Sequence, residues 1–237
     1  MADSINIAGG NIGINSSSSL LDAISAGTVS CWFKGTPPST GSAFFSKIDG
    51  VSTNNGWAWT YSDRNSARIS VKIGTLSTTK NFDFNTNTIF KDGSWHNLML
   101  VISDINTANV YVDGVAISLG SSSGTNTGSV SSDSGRSFQT AENSGYNSVA
   151  GSYYDIRVWN VALSAPDIAT IVAGGLVPTG LQARWPITET SGTTNADLTG
   201  HGNTITWGSA PTYSNSDIPP IFSGASAKKK ASTNIVF

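Results

Sequence analysis

Apolar residues along this chain recur mostly at alternating positions, in short runs that turn-forming residues separate. In one such run the apolar residues 69, 71 and 73 alternate with Arg68, Ser70 and Lys72, so one strand face is apolar and the other polar. Residues 95–103 are instead apolar on both sides, which is typical of a strand buried on both faces. These patterns predict strands at 28–34, 43–48, 57–61, 68–73, 95–103, 109–112, 115–119, 153–159, 181–185 and 204–207.

Many short strands with Gly, Asn, Ser and Thr between them predict an all-β sandwich of two antiparallel sheets. One hairpin is marked especially clearly. The strands 109–112 and 115–119 flank Asp113 and Gly114, and this residue pair tolerates the positive φ angles of a two-residue type I′ turn. We therefore expect residues 95–119 to form a three-strand meander whose first strand is buried.

A single short helix is predicted near residues 165–173. Ser164 is a suitable N-cap, and Asp167 stands three residues later, as a capping box requires. Pro166 fits the first helical turn and Gly174 fits the exit. One helix late in an otherwise all-β chain is a useful landmark for the topology.

The predicted domain organisation is a central sandwich with an arm at each end. Residues 1–27 are expected to form an N-terminal strand or arm, 28–210 the sandwich, and 211–237 an extended C-terminal arm. Residues 120–148 within the sandwich have almost no large apolar side chains. A polar stretch of this length is unusual in a compact domain, so we expect either a projecting functional loop or a mobile one.

The composition argues against several classes of partner. Charged residues make up 12% of the 237 residues, against about 25% in typical soluble domains, and the formal net charge is −2. We therefore expect neither nucleic acid nor a membrane as a partner, because no basic field would attract them. No apolar run reaches the roughly 18 residues of a membrane span, and residues 1–10 lack the regions of a secretion signal. Cys31 is the only cysteine, so no intrachain disulfide is expected.

Four segments occur in an order that resembles a known superfamily. They read TVSCWFK at 28–34, DGSWHNLMLVIS at 92–103, NVYVDGVAI at 109–117 and YYDIRVWNVALSAPDIATIVAGG at 153–175. Together they resemble the concanavalin A-like lectin/glucanase superfamily, and within it the laminin-G/pentraxin-like domains. The resemblance implies a jelly-roll sandwich in which the Trp-His pair opens a central strand. Residues 180–208 resemble a stretch that often begins such domains, and we expect them to add edge strands to the same sandwich.

Catalysis is not expected from these residues. Hydrolases that resemble this fold carry an E-x-D-x-x-E strand, whose paired carboxylates lie about 5 Å apart. The chain has only two glutamates, Glu142 and Glu189, and no such strand. His96 and His201 lie far apart in the sequence, and neither belongs to a metal-ligand or triad pattern. We therefore predict a protein that is not an enzyme.

Two candidate binding sites remain, and each has a structural alternative. Trp57, Trp59 and Tyr61 share one strand face and would form a carbohydrate-binding platform, with Arg64 supplying polar contacts; the alternative is that these aromatic residues belong to the core. Calcium is the one cofactor that the sequence suggests. Asp197 and Asn203 are its candidate oxygen ligands, and the alternative is a Gly-rich turn that an Asx hydrogen bond stabilises.

Two functions follow from these observations. The first is a bacteriophage structural protein, either a capsid decoration (cement) protein or a tail or fibre component, located in the virion and in the host cytoplasm during assembly. Its partners would be copies of itself, with a trimer as a hypothesis that no motif supports, and virion proteins such as the major capsid protein. The alternative is a calcium-assisted carbohydrate-binding module. The two functions are compatible, because a virion surface protein can also bind host glycans.

Overall fold

The strands of the computed structural model form two sheets around one core. The structure describes residues 4–7, 13–15, 20–35, 42–48, 55–62, 68–75, 77–85, 90–132, 136–140, 147–214 and 216–222. Sheet A contains β1 (Ser4–Ile7), β3 (Gly27–Lys34), β8 (His96–Asp104), β9 (Thr107–Val112), β10 (Val115–Ala116), β14 (Gly151–Trp159), β15 (Leu181–Trp185) and β18 (Thr212–Ser214). Sheet B contains β2 (Gly13–Asn15), β4 (Ser42–Ile48), β5 (Gly56–Ser62), β6 (Arg68–Gly74), β7 (Thr79–Asn85), β11 (Leu119–Ser123), β12 (Phe138–Gln139), β13 (Asn147–Ser148), β16 (Thr194–Asn195) and β17 (Ile205–Trp207).

The two sheets have almost purely antiparallel pairing. The strand order is β10-β9-β8-β3-β14-β1-β18 in sheet A, where β15 also pairs with β14. In sheet B the order is β11-β7-β6-β5-β4-β12-β2-β17-β16, and β13 also pairs with β4. Among the described strands only β13 and β4 pair in parallel. The predicted fold class, an all-β jelly-roll sandwich of two antiparallel sheets, is confirmed.

The strand β8 is buried on both faces, as its sequence predicts. Leu98, Leu100 and Ile102 point into the large core between the sheets. Met99 and Val101 point the other way, into a second apolar cluster on the outer face of sheet A. A short helix covers this second cluster, which explains why the strand needs apolar residues at successive positions.

The helix and the hairpin turn form where the sequence predicts them. The second hairpin strand is shorter than the predicted 115–119, because β10 ends at Ala116 and Leu119 begins β11 in sheet B. Helix α1 spans Ala165–Val172, and Ser164 and Asp167 complete the capping box. The hairpin turn between β9 and β10 has φ angles of 51° at Asp113 and 80° at Gly114. Positive φ at both central residues is the property of a type I′ turn, which matches the twist of the flanking strands.

The terminal segments belong to the sandwich as far as the structure describes them. The expected boundaries at 28 and 210 are therefore corrected, because β1 pairs with β14 in sheet A and β2 pairs with β12 and β17 in sheet B. In the C-terminal segment, β18 pairs with β1, and Phe222 packs against Trp32 and Tyr154 on the outer face of sheet A. Residues 223–237 of the predicted arm lie outside the described residues.

The described part of the polar stretch 120–148 packs against the sandwich and does not project from it. It supplies β11, β12 and β13, and Val130 and Phe138 insert into the main core. Asn126 holds the stretch in place: its Nδ2 donates to the carbonyls of Ile105 (2.7 Å) and Ile73 (3.0 Å). Polar side chains that bond to backbone groups thus take the place of the apolar contacts that the sequence lacks.

Candidate functional site

The predicted aromatic platform is part of the core. Trp57, Trp59 and Tyr61 are each 0% exposed, and their rings contact the inner phenylalanines Phe138, Phe44 and Phe90, respectively. A ring without an exposed face offers no surface on which a sugar stacks. The interpretation of these three residues as a carbohydrate-binding platform is therefore wrong, and the core alternative is correct. Arg64 lies outside the described residues.

The structure brings Asp197 and Asn203 together in one tight turn. The Asp197 carboxylate accepts hydrogen bonds from the backbone N–H groups of Arg184 (3.0 Å), Thr199 (2.9 Å) and Asn203 (3.1 Å). Hydrogen-bond donors thus surround the oxygens that calcium would need, which favours the hydrogen-bonded turn. Calcium binding by Asp197 and Asn203 stays a prediction.

This turn covers the open edge of sheet A beside β15. The backbone N–H of Leu198 donates to the carbonyl of Arg184 (2.9 Å), and the Asn203 side chain donates to the carbonyl of Gln182 (2.8 Å). Backbone groups of an edge strand are a template for pairing with other chains unless something covers them. The segment around Asp197 therefore has a clear structural role, which is to protect the edge of β15.

His96 lies between two carboxylates, although its sequence context suggested no cluster. Its Nδ1 is 2.7 Å from Oδ2 of Asp113, and its Nε2 is 3.1 Å from Oδ1 of Asp92. Partial burial lowers the pKa of His96, but the hydrogen bonds and charges of Asp113 and Asp92 outweigh burial and raise the pKa above its ordinary value. The backbone N–H of Ser94 and the hydrogen bond with His96 lower the pKa of Asp92. The contact between His96 and Asp113 could have been predicted from the antiparallel pairing of β8 with β9, because Leu98 lies opposite Val112.

The outer side of sheet B carries a continuous polar surface, which we call the polar face. Neighbouring strands place Thr60 beside Ser70, Ser70 beside Asp83, and Asp83 beside Ser121. The Ser70 hydroxyl donates to Oδ1 of Asp83 (2.7 Å), and the Ser121 hydroxyl donates to Oδ2 (3.2 Å). A second row runs alongside the first. It consists of Lys72 on β6 and Asn81 on β7, which lie opposite each other.

The polar face combines a carboxylate, an amide, an ammonium group and several hydroxyls on rigid strands. The side chains of Thr60, Ser70, Lys72, Asn81 and Asp83 are all partly exposed. They lie on the side opposite to the core residues of β5, β6 and β7. Such groups both donate and accept hydrogen bonds, as the recognition of a hydroxyl-rich ligand requires.

The sequence pattern predicted the polar side of only one strand of the polar face. The alternation of Arg68, Ser70 and Lys72 predicted a polar side for β6, but the strand β7 was not predicted. Its sequence TKNFDFN carries the same signal, because Phe82 and Phe84 alternate with Asn81 and Asp83. The assembly of the face from several strands depends on their register, which the pattern of a single strand does not contain.

The titratable residues of the described ranges form no metal-binding cluster. Within the part of the chain that the structure describes, no group of three or more His, Cys, Asp or Glu side chains is arranged to hold a metal ion. Nor is any helix in the described ranges both long and apolar enough to cross a membrane.

The fold and its surfaces define a lectin-like β-sandwich, and comparison with known families gives the particular group. Residues 8–169 match the Laminin_G_3 family of the concanavalin A-like lectin/glucanases superfamily. The chain belongs to this family. The family resemblance predicted from the four ordered segments is thereby confirmed, and β15 to β18 lie beyond the matched residues. No curated protein sequence matches the chain.

Solved structures with the same fold include proteins named for sugar binding. A Bacteroides ovatus protein named for carbohydrate binding is 16% identical with a TM-score of 0.61; the match covers 90% of this chain and 61% of that one. The CBM40 of Ruminococcus gnavus IT-sialidase, bound to alpha2,3 sialyllactose, is 14% identical with a TM-score of 0.53 and coverages of 73% and 97%. A heptameric SAP-like pentraxin from Limulus polyphemus is 16% identical with a TM-score of 0.50 and coverages of 73% and 83%. At these identities the likeness shows the fold alone.

Proposed function

We propose that the chain is a non-catalytic carbohydrate-binding module whose binding surface is the polar face of sheet B. The observation that carries this proposal is the row of Thr60, Ser70, Asp83 and Ser121, in register across four strands. The family and the names of two structural neighbours support the same class of function. The sequence has no E-x-D-x-x-E strand, which supports a binding role over a hydrolytic one.

Asp83 is the central residue of the proposed surface. Its carboxylate accepts hydrogen bonds from serine hydroxyls on both neighbouring strands, so its position is held before a ligand arrives. A side chain that is already oriented loses little conformational freedom on binding. Sugar hydroxyls donate hydrogen bonds to such a carboxylate, and Asn81 and Lys72 extend the contact along the face.

The expected affinity is modest. The polar face is a sheet surface rather than a cleft, and no exposed aromatic side chain has been identified on it among the described residues. A shallow site without stacking excludes little water, so each hydrogen bond exchanges with solvent at a small net gain. We expect dissociation constants of about 1 mM for a single short glycan, which corresponds to a binding free energy of about −4 kcal/mol.

The test is saturation-transfer NMR of the intact chain with a panel of short glycans, followed by NMR titration of the best ligand to concentrations above about 10 mM, because contacts with a dissociation constant of about 1 mM are lost when an array is washed. We expect Asp83→Asn to weaken binding about tenfold, in line with the loss of one charge-assisted hydrogen bond. This change keeps the shape of the side chain. Asp104→Asn is the matched control, since Asp104 is exposed at the end of β8 in the other sheet. Absence of saturation transfer to every glycan of the panel, or equal affinity of Asp83→Asn and the original chain, would contradict the proposal.

A second pair of variants separates loss of binding from loss of folding. Asn81→Ala removes an amide from the polar face, whereas Asn109→Ala removes an exposed amide from β9 in sheet A. We expect only the first to weaken glycan binding, with both variants unfolding at the temperature of the original chain. A loss of binding in both variants would indicate a surface elsewhere.

The virion role that the sequence favoured stays a prediction, as do the trimer, the capsid protein partner and the virion location. The free terminal arms that suggested this role are shorter than expected, since the described parts of both terminal segments pair within the chain's own sheets. Detection of the chain in purified virions by mass spectrometry would support the role, and it is compatible with glycan binding.

A further inference from the structure

The strand β11 forms an open edge of sheet B. It pairs with β7 on one side, and all five residues of Leu119–Ser123 are exposed. Within the described residues no backbone hydrogen bond reaches the other side of this strand. The outward N–H and C=O groups are therefore available to another strand.

The edge of β15, in contrast to that of β11, is covered by another segment of the chain. There the Asp197 turn bonds to the backbone of Arg184 and Gln182. Among the residues that the structure describes, nothing comparable covers β11. Edge strands in soluble proteins are usually protected by charged side chains, proline, an inward-pointing charge or a β-bulge. The sequence LGSSS of β11 has no charge and no proline. Its one bulge lies between Leu119 and Ser121, and residues 121–123 keep a regular register with β7.

Two exposed apolar side chains flank this edge. Val115 on β10 is 68% exposed, and Leu119 at the start of β11 is 49% exposed. Both strands are the outermost members of their sheets, and residues 117–118 connect them. The same edge of the sandwich thus combines unpaired backbone groups with exposed apolar side chains. Association that buries these apolar side chains is favourable.

We propose that β11 pairs antiparallel with β11 of a second copy of this chain, around a two-fold axis close to Ser121. A second copy fits because the side chains of β11 are uncharged, so two copies of this strand meet without direct repulsion. The charged groups nearest to it, Lys80 and Asp83 of β7, already bond to Ser122 and Ser121. The low net charge of −2 adds little long-range repulsion between copies. A two-fold contact uses one patch twice, so the pairing closes at a dimer.

The geometry of this dimer joins the two copies of sheet B into one continuous sheet. In the antiparallel register Leu119 lies opposite Ser123 of the second copy, so small side chains leave room for the leucine. The two-fold axis runs perpendicular to the joined sheet and places the polar faces of both copies on the same side. The contact is small, so the dimer forms in a concentration-dependent manner.

Sedimentation of the intact chain over a concentration series tests this proposal. We expect a shift from the mass of one chain, 24.6 kDa, to twice that mass as the concentration rises. Ser123→Lys puts a charge on the edge and is expected to keep the chain monomeric throughout. Thr107→Lys puts the same charge on the exposed first residue of β9 in sheet A, and this variant is expected to dimerise as the original chain does. Thermal unfolding confirms that both variants fold.

A cysteine variant tests the register directly. Ser121→Cys is expected to form a disulfide-linked dimer on oxidation, because the two copies bring residue 121 together. Ser103→Cys, exposed at the end of β8, is the control and is expected to remain unlinked. Cys31 does not interfere, since it is buried and burial raises the pKa of its thiol.

Four results would overturn the proposal. They are a chain that stays at 24.6 kDa at every concentration, a larger assembly that Ser123→Lys does not disrupt, a trimer, and a dimer in which Ser121→Cys fails to cross-link. Hydrogen exchange gives an independent measurement. The outward amides of β11 are expected to gain protection only at concentrations where the dimer forms.

Discussion

Arg157 on β14 and Arg184 on β15 lie directly opposite each other on neighbouring antiparallel strands, and both side chains are buried. Like charges in this arrangement destabilise a sheet unless an anion bridges them. Asp155 is that anion. Its Oδ2 accepts a hydrogen bond from Nε of Arg157 (3.0 Å), and its Oδ1 accepts one from Nε of Arg184 (2.8 Å). Asp155 lies in a bulge of β14 with a φ of 46°, a strained conformation that the ion cluster offsets.

We expect Asp155→Asn to destabilise the fold by about 3–5 kcal/mol, because it leaves two buried cations without their counter-charge. Denaturant unfolding at neutral pH measures this difference. Asp104→Asn, at an exposed turn, is the control and is expected to cost less than about 0.5 kcal/mol. Equal stability of the two variants would show that the bridge between the arginines contributes nothing.

The same cluster predicts how stability changes in acid. Burial raises the pKa of Asp155, but the charges and hydrogen bonds of Arg157 and Arg184 outweigh burial and hold the pKa well below its ordinary value. The folded pKa lies below the unfolded one, so this contribution is fully present above the unfolded pKa of about 3.9 and is lost as the pH falls through the folded pKa. We expect the original chain to lose stability steeply in that window and Asp155→Asn to lose less. Parallel pH profiles would contradict this assignment.

His96 predicts the opposite dependence at higher pH. Its folded pKa is raised, so protonated His96 contributes stability that is fully present below the unfolded pKa of about 6.5 and is lost as the pH rises through the folded pKa. We expect the stability difference between the original chain and His96→Gln to shrink over that interval. Denaturant unfolding at several pH values measures it, and the variant His201→Gln assigns the NMR signals of the two histidines. A His96 signal that titrates below the ordinary histidine pKa would contradict the contacts with Asp92 and Asp113.

The stability of the Asp197 turn with and without calcium distinguishes calcium binding from the hydrogen-bonded turn. Because the carboxylate already accepts several N–H groups, we expect a chelator to leave the unfolding temperature unchanged, and Asp197→Ala to cost about 1–3 kcal/mol. Calorimetric unfolding with calcium, with magnesium and with chelator tests both statements. An unfolding temperature that rises with calcium alone would instead support the metal site predicted from the sequence.

Two buried tryptophans distinguish the contribution of an indole hydrogen bond from that of packing. The Trp185 indole donates to the carbonyl of Asn203 (2.6 Å), whereas the Trp57 indole has no acceptor among the described residues. Both rings are 0% exposed. We expect Trp185→Phe to cost about 1–3 kcal/mol more than Trp57→Phe, because only the first leaves a buried carbonyl without its donor. Denaturant unfolding of the two variants makes the comparison, and equal costs would contradict it.

Most of the fold was predictable from local patterns. The turn at Asp113 and Gly114, the capping box of Ser164 and Asp167, and the two-sided strand β8 all follow from a few neighbouring residues, and each lies where it was expected. The strands that sequence reasoning missed are mainly short ones such as β2, β12 and β13. Two or three residues carry too little periodicity to predict a strand, and these strands exist because a neighbouring strand pairs with them.

The sequence by itself determined which residues avoid water and where the chain turns, because burial periodicity and turn propensity are local properties. Only the tertiary structure decided which side of an aromatic strand faces the core, and it buried Trp57, Trp59 and Tyr61. It also decided that the Asp197 turn covers β15 while β11 stays open, and that Asp83 meets the serines of two neighbouring strands. These relationships depend on strand order and register, which long-range packing of the two sheets selects.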